Sequence, residues 1–254
     1  AAATAGSAGA AGNNITYLPG DGVTGVDPNG VASDAAPGFG TGSFSANGTA
    51  KTAIGFTPQQ LFGRSITVDE IESMSFFTKQ TGAFTTSPTY VNWYLELYTT
   101  ADGVNDDAWY GHRMNLEPYF ANNPSAPANT WTEWGTDAGT NQLRVFDANR
   151  GASGPIFGTY QDPTWSDISS GAVDWNSYFS GYETGTTDYR AEEVWFWNIS
   201  TGSGWASGFL GQVDGIRIQL TNGDVGTVNF EVPTPASAAL LGMAGLAATR
   251  RRRA

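Results

Sequence analysis

The chain contains no cysteine among its 254 residues. No disulfide can therefore stabilise its fold, and neither a thiol nucleophile nor a cysteine-ligated zinc site is possible. Basic residues are also scarce: 12 Lys and Arg stand against 24 Asp and Glu, and four of the basic residues are the final arginines. The part before them has 24 acids against 12 − 4 = 8 bases, a net charge of −16. Such a surface repels nucleic acid and anionic lipid headgroups, so we expect no nucleic-acid partner.

Several enzyme motifs are missing as well. The single histidine, His112, has no Gly-x-Ser-x-Gly partner, and the glycines follow turns rather than forming a P-loop or a dinucleotide fingerprint. Glu96, Glu133, Glu192 and Glu193 are the candidates for a glycosidase carboxylate pair, but no local spacing supports a pair among them. The sequence therefore predicts a protein that is not an enzyme, with glycoside hydrolase as a lower alternative.

The longest uncharged run near the C-terminus is shorter than the hydrocarbon core of a bilayer, so a permanent membrane span is marginal. Residues 236–249 are uncharged, and as a helix they would span roughly 21 Å of a ~30 Å hydrocarbon core. A proline-bracketed site precedes them and a basic cluster follows. The site is Val232, Pro233, Thr234 and Pro235, and the cluster is Arg250, Arg251, Arg252 and Arg253. Such a cluster stays on the cytoplasmic side, so we expect this tail to be the part that meets the membrane and everything before it to lie outside.

This order of parts resembles the PEP-CTERM sorting signal of bacterial surface proteins, with Thr234 in place of the usual glutamate. The resemblance covers about 23 residues, and it implies recognition by an exosortase-type transpeptidase, cleavage near residues 232–235 and an extracellular or cell-surface location. A C-terminal amphipathic helix packed on the domain is the alternative.

The segments 106–111, 202–209, 213–215 and 229–231 look like an ectodomain pattern of planctomycete-type PEP-CTERM proteins, and the likeness to lectin-like sandwiches is at fold level only. A start at Ala1 without methionine fits a precursor whose signal peptide was removed.

The fold class follows from alternation of apolar and polar residues. Residues 90–98 alternate cleanly, which predicts a half-buried strand with an aromatic outer face. Residues 216–220 and 227–231 flank Asn222-Gly223, a hairpin signal. Further strands are predicted at 13–18, 143–146 and 194–199, with a short helix at 167–178. Together they predict a jelly-roll-like β-sandwich over residues 13–231, between a low-complexity segment (1–12) and a sorting tail (232–254) with a short hydrophobic helix.

Oxygen-bearing side chains are concentrated in residues 102–107, in a loop that follows the strand at 90–98. Asp102, Asn105, Asp106 and Asp107 are the candidate ligands, and hard oxygen ligands on a flexible loop suit calcium. The spacing does not match an EF-hand loop, and a solvated turn is the alternative. We expect that no cofactor is required, with calcium as an optional ion.

Nine tryptophans provide candidate surfaces for sugar rings. Sugar-binding sandwiches place exposed aromatic rings beside amide or carboxylate groups, and burial is the alternative for each ring. Trp195 and Trp197 lie two residues apart in one predicted strand, so we expect both to face the core. The carbohydrate-binding candidates are Tyr94, Trp109, Tyr110, Trp131, Trp134 and Trp205.

The sequence thus predicts a non-enzymatic, secreted protein of the cell surface or extracellular matrix with a structural or adhesive role. A self-assembling fibre or layer subunit is one form of that role, because exposed sheet edges can be extended by another chain. The main alternative is a carbohydrate-binding module for matrix polysaccharide. The expected partners are an exosortase-type enzyme, further copies of the chain and polysaccharide.

Overall fold

The structure is a computed structural model, and it describes residues 12–17, 23–25, 29–32, 34–46, 51–80, 92–103, 106, 109–124, 126–137, 139, 141–148, 161–178, 185–202 and 211–231. Within this part, fifteen strands and two short α-helices are present, so the predicted all-β class is confirmed. No helix in the described residues is long and apolar enough to cross a membrane. The predicted sorting tail with its helix, and residues 1–11 of the low-complexity segment, lie outside the described residues.

Fifteen strands and two α-helices follow one another along the described part of the chain. They are β1 (Asn14–Tyr17), β2 (Val23–Gly25), β3 (Asn29–Ala32), β4 (Gly42–Ala46), β5 (Thr52–Phe56), α1 (Pro58–Phe62), β6 (Ile71–Gln80), β7 (Tyr94–Thr99), β8 (Arg113–Leu116), β9 (Thr132–Gly135), β10 (Val145–Asp147), α2 (Trp165–Ser170), β11 (Val173–Asp174), β12 (Thr186–Thr187), β13 (Val194–Ser200), β14 (Gly211–Leu220) and β15 (Val225–Phe230). Single turns of 3-10 helix lie at Val68–Glu70, Pro118–Phe120 and Trp175–Ser177.

Most of these strands belong to two sheets. In the described residues the seven-stranded sheet has the order β1-β15-β14-β4-β3, and β6 pairs with β14 on one side and β9 on the other. The six-stranded sheet has the order β10-β8-β7-β13-β5-β2, and β11 and β12 form a separate ribbon. Several neighbouring strands, such as β4 and β14 or β5 and β13, therefore come from distant parts of the chain, as in jelly-roll folds.

The inner faces of the two sheets share one apolar core. Phe44, Ile218 and Phe230 from the seven-stranded sheet belong to the same buried cluster as Leu95 and Trp197 from the six-stranded sheet. Each of these side chains is fully buried. The predicted sandwich is therefore confirmed, because the residues that join its layers come from both sheets.

The hairpin between β14 and β15 is confirmed as well. Asn222 Oδ1 accepts a hydrogen bond from the backbone N–H of Asp224 at 2.9 Å, and Gly223 has a φ of 91°. A positive φ is where glycine costs least, so Asn-Gly suits this turn. The turn sets the register that pairs Ile216 with Val228.

Three local predictions need correction. The helix predicted at 167–178 is only α2, because Thr164 and Asp167 cap its start in a capping box and the chain then extends through Gly171 into β11. The outer face of β7 is buried rather than half-exposed. Trp195 is 43% exposed although Trp197 is fully buried. The register of β13 against β7 shifts between Val194 and Phe196, and such a bulge breaks the alternation from which a shared face was predicted.

Candidate functional site

The outer face of the seven-stranded sheet carries an open cleft of about 740 Å³, which we call the serine groove. Ser73 and Ser75 of β6 and Gly135 of β9 line it. Ser75 lies opposite Gly135 in one neighbouring strand and opposite Arg217 in the other. Successive residues of a strand point to opposite faces, so both serines share the face away from buried Met74. Small residues on two adjacent strands, β6 and β9, thus leave a low floor beside the larger side chains of β14.

Polar side chains surround this floor. Glu133, Asp137 and Arg217 are exposed, and Asn141 and Gln219 are partly buried. Asn141 Nδ2 donates to the backbone oxygen of Glu133 at 3.1 Å, and Gln219 Nε2 donates to Glu72 Oε2 at 2.7 Å, so both amides are oriented. Amide, carboxylate and guanidinium groups together supply the donors and acceptors that can read sugar hydroxyls.

Trp131 lines the groove and is held by a partly buried ion pair between Lys79 and Asp34. Its Nε1 donates to Asp34 Oδ1 at 3.1 Å, while Lys79 Nζ lies 2.7 Å from Asp34 Oδ2 and 5.9 Å from the indole centroid. Gln212 Nε2 also donates to Asp34 Oδ2, at 2.9 Å. Burial of Asp34 acts to raise its pKa, but the hydrogen bonds from Lys79, Gln212 and Trp131 outweigh burial and lower that pKa. The ring is therefore fixed before any ligand binds.

Only some of the predicted sugar-binding rings reach the surface. Trp109 is 59% exposed and Trp131 is partly buried, whereas Trp134 is fully buried and its Nε1 donates to Thr78 Oγ1 at 2.7 Å. Tyr94 and Tyr110 are buried too. Their rings cannot stack on a sugar, because each is packed inside the protein. Trp205 lies outside the described residues.

Trp109 belongs to an aromatic cluster on the outer face of the six-stranded sheet, formed by Tyr98, Trp109, Trp195 and Phe196. Tyr98 and Phe196 are cross-strand neighbours whose ring centroids are 4.4 Å apart. The Trp109 ring lies within 16° of parallel to Tyr98 and within 5° of parallel to Phe196, and it meets Trp195 edge-on at 5.2 Å. Trp195, which was predicted to face the core, therefore contacts the exposed Trp109 on the outer face.

Next to this cluster lie two carboxyl groups, of which only Glu96 was predicted. Glu96 is fully buried and accepts hydrogen bonds from Ser200 Oγ at 2.8 Å and Tyr98 Oη at 3.4 Å. Lys51 Nζ and Arg113 Nη1 lie 3.7 and 4.0 Å from its Oε1. These two hydrogen-bond donors and two cations offset the cost of burying the charge.

Glu117 is the second carboxyl group, and no motif in the sequence marks it. Burial is the main cause that raises the pKa of Glu117 to about 7, and the charge of Glu96 acts in the same direction. The hydrogen bond from Asn115 Nδ2 to Glu117 Oε1, at 3.4 Å, opposes this shift. Sequence reasoning missed Glu117 because only the pairing of β8 with β7 brings it near Glu96.

The other three predicted glutamates lie elsewhere. Glu133 is at the serine groove, and Ser65 Oγ donates to Glu193 Oε1 at 2.8 Å. Glu192 Oε2 lies 2.8 Å from Nδ1 of His112, whose ring is buried against Tyr189. His112 is therefore part of the interior packing.

The predicted calcium loop is closed by one of its own carboxylates. Asp106 accepts hydrogen bonds from the backbone N–H groups of Asp102 and Gly103, at 3.1 and 2.8 Å. Asn105 and Asp107 lie outside the described residues, so calcium binding stays a prediction. In the described part of the chain, no group of three or more histidine or acidic side chains is arranged to hold a metal ion.

The chain was compared with protein-family models, curated proteins and solved structures, and none of the three comparisons found a match.

Proposed function

We propose that this chain is a non-enzymatic, secreted adhesive protein of the cell surface or extracellular matrix, and that it binds neutral polysaccharide in the serine groove. The observation that carries the proposal is the groove itself, which combines a floor of small residues, a fixed tryptophan and a polar rim within about 740 Å³. Secretion and the surface location rest on the resemblance of residues 232–254 to a sorting signal.

The shape of the groove favours a polymer over a compact small molecule. Small-molecule sites are enclosed and mostly apolar, whereas this cleft is open and lined largely by polar side chains. A polysaccharide presents hydroxyls to such side chains and a CH face to an indole ring. Its path across β9, β6 and β14 would pass Trp131, Ser75 and Arg217 in turn.

The charge of the protein favours a neutral polymer. Acidic residues exceed basic residues by twelve over the whole chain, so anionic polysaccharides would be repelled. Within the groove, Glu133 and Asp137 accompany Arg217. One guanidinium beside two carboxylates does not make an anion-binding site.

The direct test is binding of the purified protein to a panel of neutral polysaccharides, such as cellulose, xylan, mannan and amylose, by affinity electrophoresis and calorimetry. Trp131→Ala should weaken binding to the preferred polymer about tenfold, which corresponds to about 1.4 kcal/mol. Tyr119→Ala is the matched control, because Tyr119 is an exposed aromatic residue that does not line the groove. Its affinity should equal that of the wild type.

Two outcomes would contradict the proposal. The wild type could bind no polymer of the panel, or Trp131→Ala and Tyr119→Ala could lose affinity equally. Self-assembly and processing by an exosortase-type enzyme stay predictions, because the terminal segments on which they depend lie outside the described residues.

A further inference from the structure

The loop that joins β3 to β4 lies on the outer face of the seven-stranded sheet, next to the serine groove. We call residues 34–41 the 34–41 loop. Phe77 and Lys79 are the outward residues of β6 that follow the serines of the groove floor. The ring centroids of Phe39 and Phe77 are 6.0 Å apart, and Asp34 Oδ2 lies 2.7 Å from Lys79 Nζ. The loop therefore covers β6 directly beyond the groove.

Backbone hydrogen bonds fasten this loop to the sheet. The N–H of Ala36 donates to Oδ2 of the buried Asp214 of β14 at 3.0 Å. The N–H of Phe39 donates to the oxygen of Ala36 at 3.0 Å, which closes a turn. The N–H of Thr41 donates to both carboxylate oxygens of Glu231, at 3.0 and 3.2 Å. The loop backbone is thus fixed to β14 and to the residue that follows β15.

The ring of Phe39 fits closely against the sheet. Gly215 of β14 has a φ of 62°, and a Cβ atom at this position would lie 2.5 Å from Cδ2 of Phe39. Only glycine therefore leaves room for the ring. Phe39 and Gly215 do not line the serine groove. Closely packed side chains have few alternative positions, so the contact of Phe39 with Gly215 and Phe77 limits movement of the loop.

The first residue of the loop holds the tryptophan of the groove. Asp34 lies two residues before Ala36, and its Oδ1 accepts the hydrogen bond from Trp131 Nε1 at 3.1 Å. Lys79 and Gln212 donate to its Oδ2, so the carboxylate is fixed from both strands beneath it. A ring that is held in its bound position before binding loses less entropy when the ligand arrives. Movement of the loop would remove this advantage.

We propose that the 34–41 loop positions Trp131 for polysaccharide, with Phe39 as a positioning residue that acts through Asp34. Phe39 itself does not contact the polymer. The inference rests on the proposed function, and it adds that the affinity of the serine groove depends on a side chain outside the groove.

The test uses the ¹⁵N-labelled full chain, in which the indole N–H signal of Trp131 reports its hydrogen bond to Asp34. Phe39→Ala should speed solvent exchange of this proton about tenfold in the absence of ligand. It should also weaken binding about threefold to whichever of cellulose, xylan, mannan and amylose the wild type binds most tightly. Phe39→Leu, which keeps an apolar side chain, should stay close to the wild type in both measurements.

Phe120→Ala is the matched control, because Phe120 is a partly buried phenylalanine that packs on Phe146 of the six-stranded sheet. It should leave the Trp131 signal and the affinity unchanged. Asp34→Ala is a second variant, in case Phe39→Ala does not fold. It removes the acceptor itself, so its effects on exchange and affinity should be at least as large.

The outcomes separate this inference from the proposed function. If the wild type binds none of the four polymers, the proposed function fails and the inference fails with it. If the wild type binds a polymer and Phe39→Ala and Asp34→Ala bind it equally well, only the inference fails. It also fails if exchange of the Trp131 proton is unchanged in Phe39→Ala, or if Phe120→Ala has the same effects.

Discussion

Side chains alternate between inward and outward positions in both sheets of the sandwich, yet the two outer faces differ in the size and the burial of their outward side chains. On β6 the outward residues Ser73 and Ser75 are small, and the sheet beneath them is open to solvent as a groove. On β7 the outward residues Tyr94, Glu96 and Tyr98 are large and buried. The outward side of a strand is therefore not the same as the surface of the protein, because side-chain size and coverage decide which outward positions meet water.

The polar groups on the two faces are stabilised in different ways. In the groove, exposed residues such as Glu133 and Arg217 are solvated, and surface charges of this kind contribute little to stability. In the six-stranded sheet, Glu96 is buried and depends on Ser200, Tyr98 and two cations. We therefore expect substitutions to affect ligand binding on the first face and stability on the second.

The largest effect on stability is expected at Asp214. This residue belongs to the seven-stranded sheet but is buried, so it separates the effect of burial from the effect of the sheet. Its carboxylate accepts hydrogen bonds from the backbone N–H groups of Ala36, Gly215 and Phe230 at 3.0, 2.8 and 3.1 Å. Asp214→Ala leaves three buried donors unsatisfied, so it should lower the free energy of unfolding by about 4 kcal/mol. Urea denaturation at neutral pH measures this change.

The matched control for Asp214 is Asp137→Ala, at the exposed rim of the groove. It should change the free energy of unfolding by less than about 0.5 kcal/mol. Equal losses in the two variants would mean that burial does not distinguish carboxylates in this sheet.

The next largest effect is expected at Glu117, where the free energy of unfolding depends on pH. Burial raises the pKa of Glu117 from 4.5 to about 7, so the folded state favours the neutral carboxyl group. The stability that this group contributes is present below pH 4.5 and is lost as the pH rises through 7. Glu117→Gln keeps a neutral side chain at every pH. It should therefore match the wild type at acidic pH and be more stable than the wild type by about 3 kcal/mol at pH 8.

Urea midpoints of the two proteins at acidic pH and at pH 8 measure this difference. Asp214, whose pKa burial raises to about 6, is present in both proteins, so its contribution cancels. Glu133→Gln, which makes the same substitution at the exposed groove, is the control for the loss of one carboxyl group. A stability difference between Glu117→Gln and the wild type that is constant over this range would contradict the inferred burial of the carboxyl group.

The parts of the fold that the sequence predicts correctly are those set by local physics. Alternation identifies the strand at 216–220, and Asn222-Gly223 identifies the hairpin because its turn needs a positive φ. Trp109, which was named as a candidate because glycine and aspartate surround it in the sequence, is exposed, but the same reasoning also selected the buried Trp134 and Tyr94. Each of these signals lies within a few residues of the feature that it predicts.

The parts that were missed depend on which strands become neighbours. Glu117 approaches Glu96 only through the pairing of β8 with β7, and Trp131 is fixed by Asp34, which lies 97 residues earlier in the chain. Trp195 was misplaced because one shifted residue in β13 reverses the side to which a side chain points. Register and bulges are set by packing of the whole sandwich, so no local pattern reports them.

Arg217 gives the smallest expected effect on stability and the closest comparison of the two faces. Arg217→Ala removes an exposed guanidinium from the groove, so the free energy of unfolding should change by less than about 0.5 kcal/mol, while affinity for the preferred polysaccharide falls about threefold. Arg113→Ala removes the corresponding group from the six-stranded sheet and leaves Glu96 buried with Lys51 as its nearest cation. It should cost about 2 kcal/mol, because breaking a buried ion pair exposes the other charge to an apolar environment. Urea denaturation of both variants tests this ranking. A loss at Arg217 as large as that at Arg113 would mean that the groove rim holds the fold together, and the assignment of binding to one face and stability to the other would then be wrong.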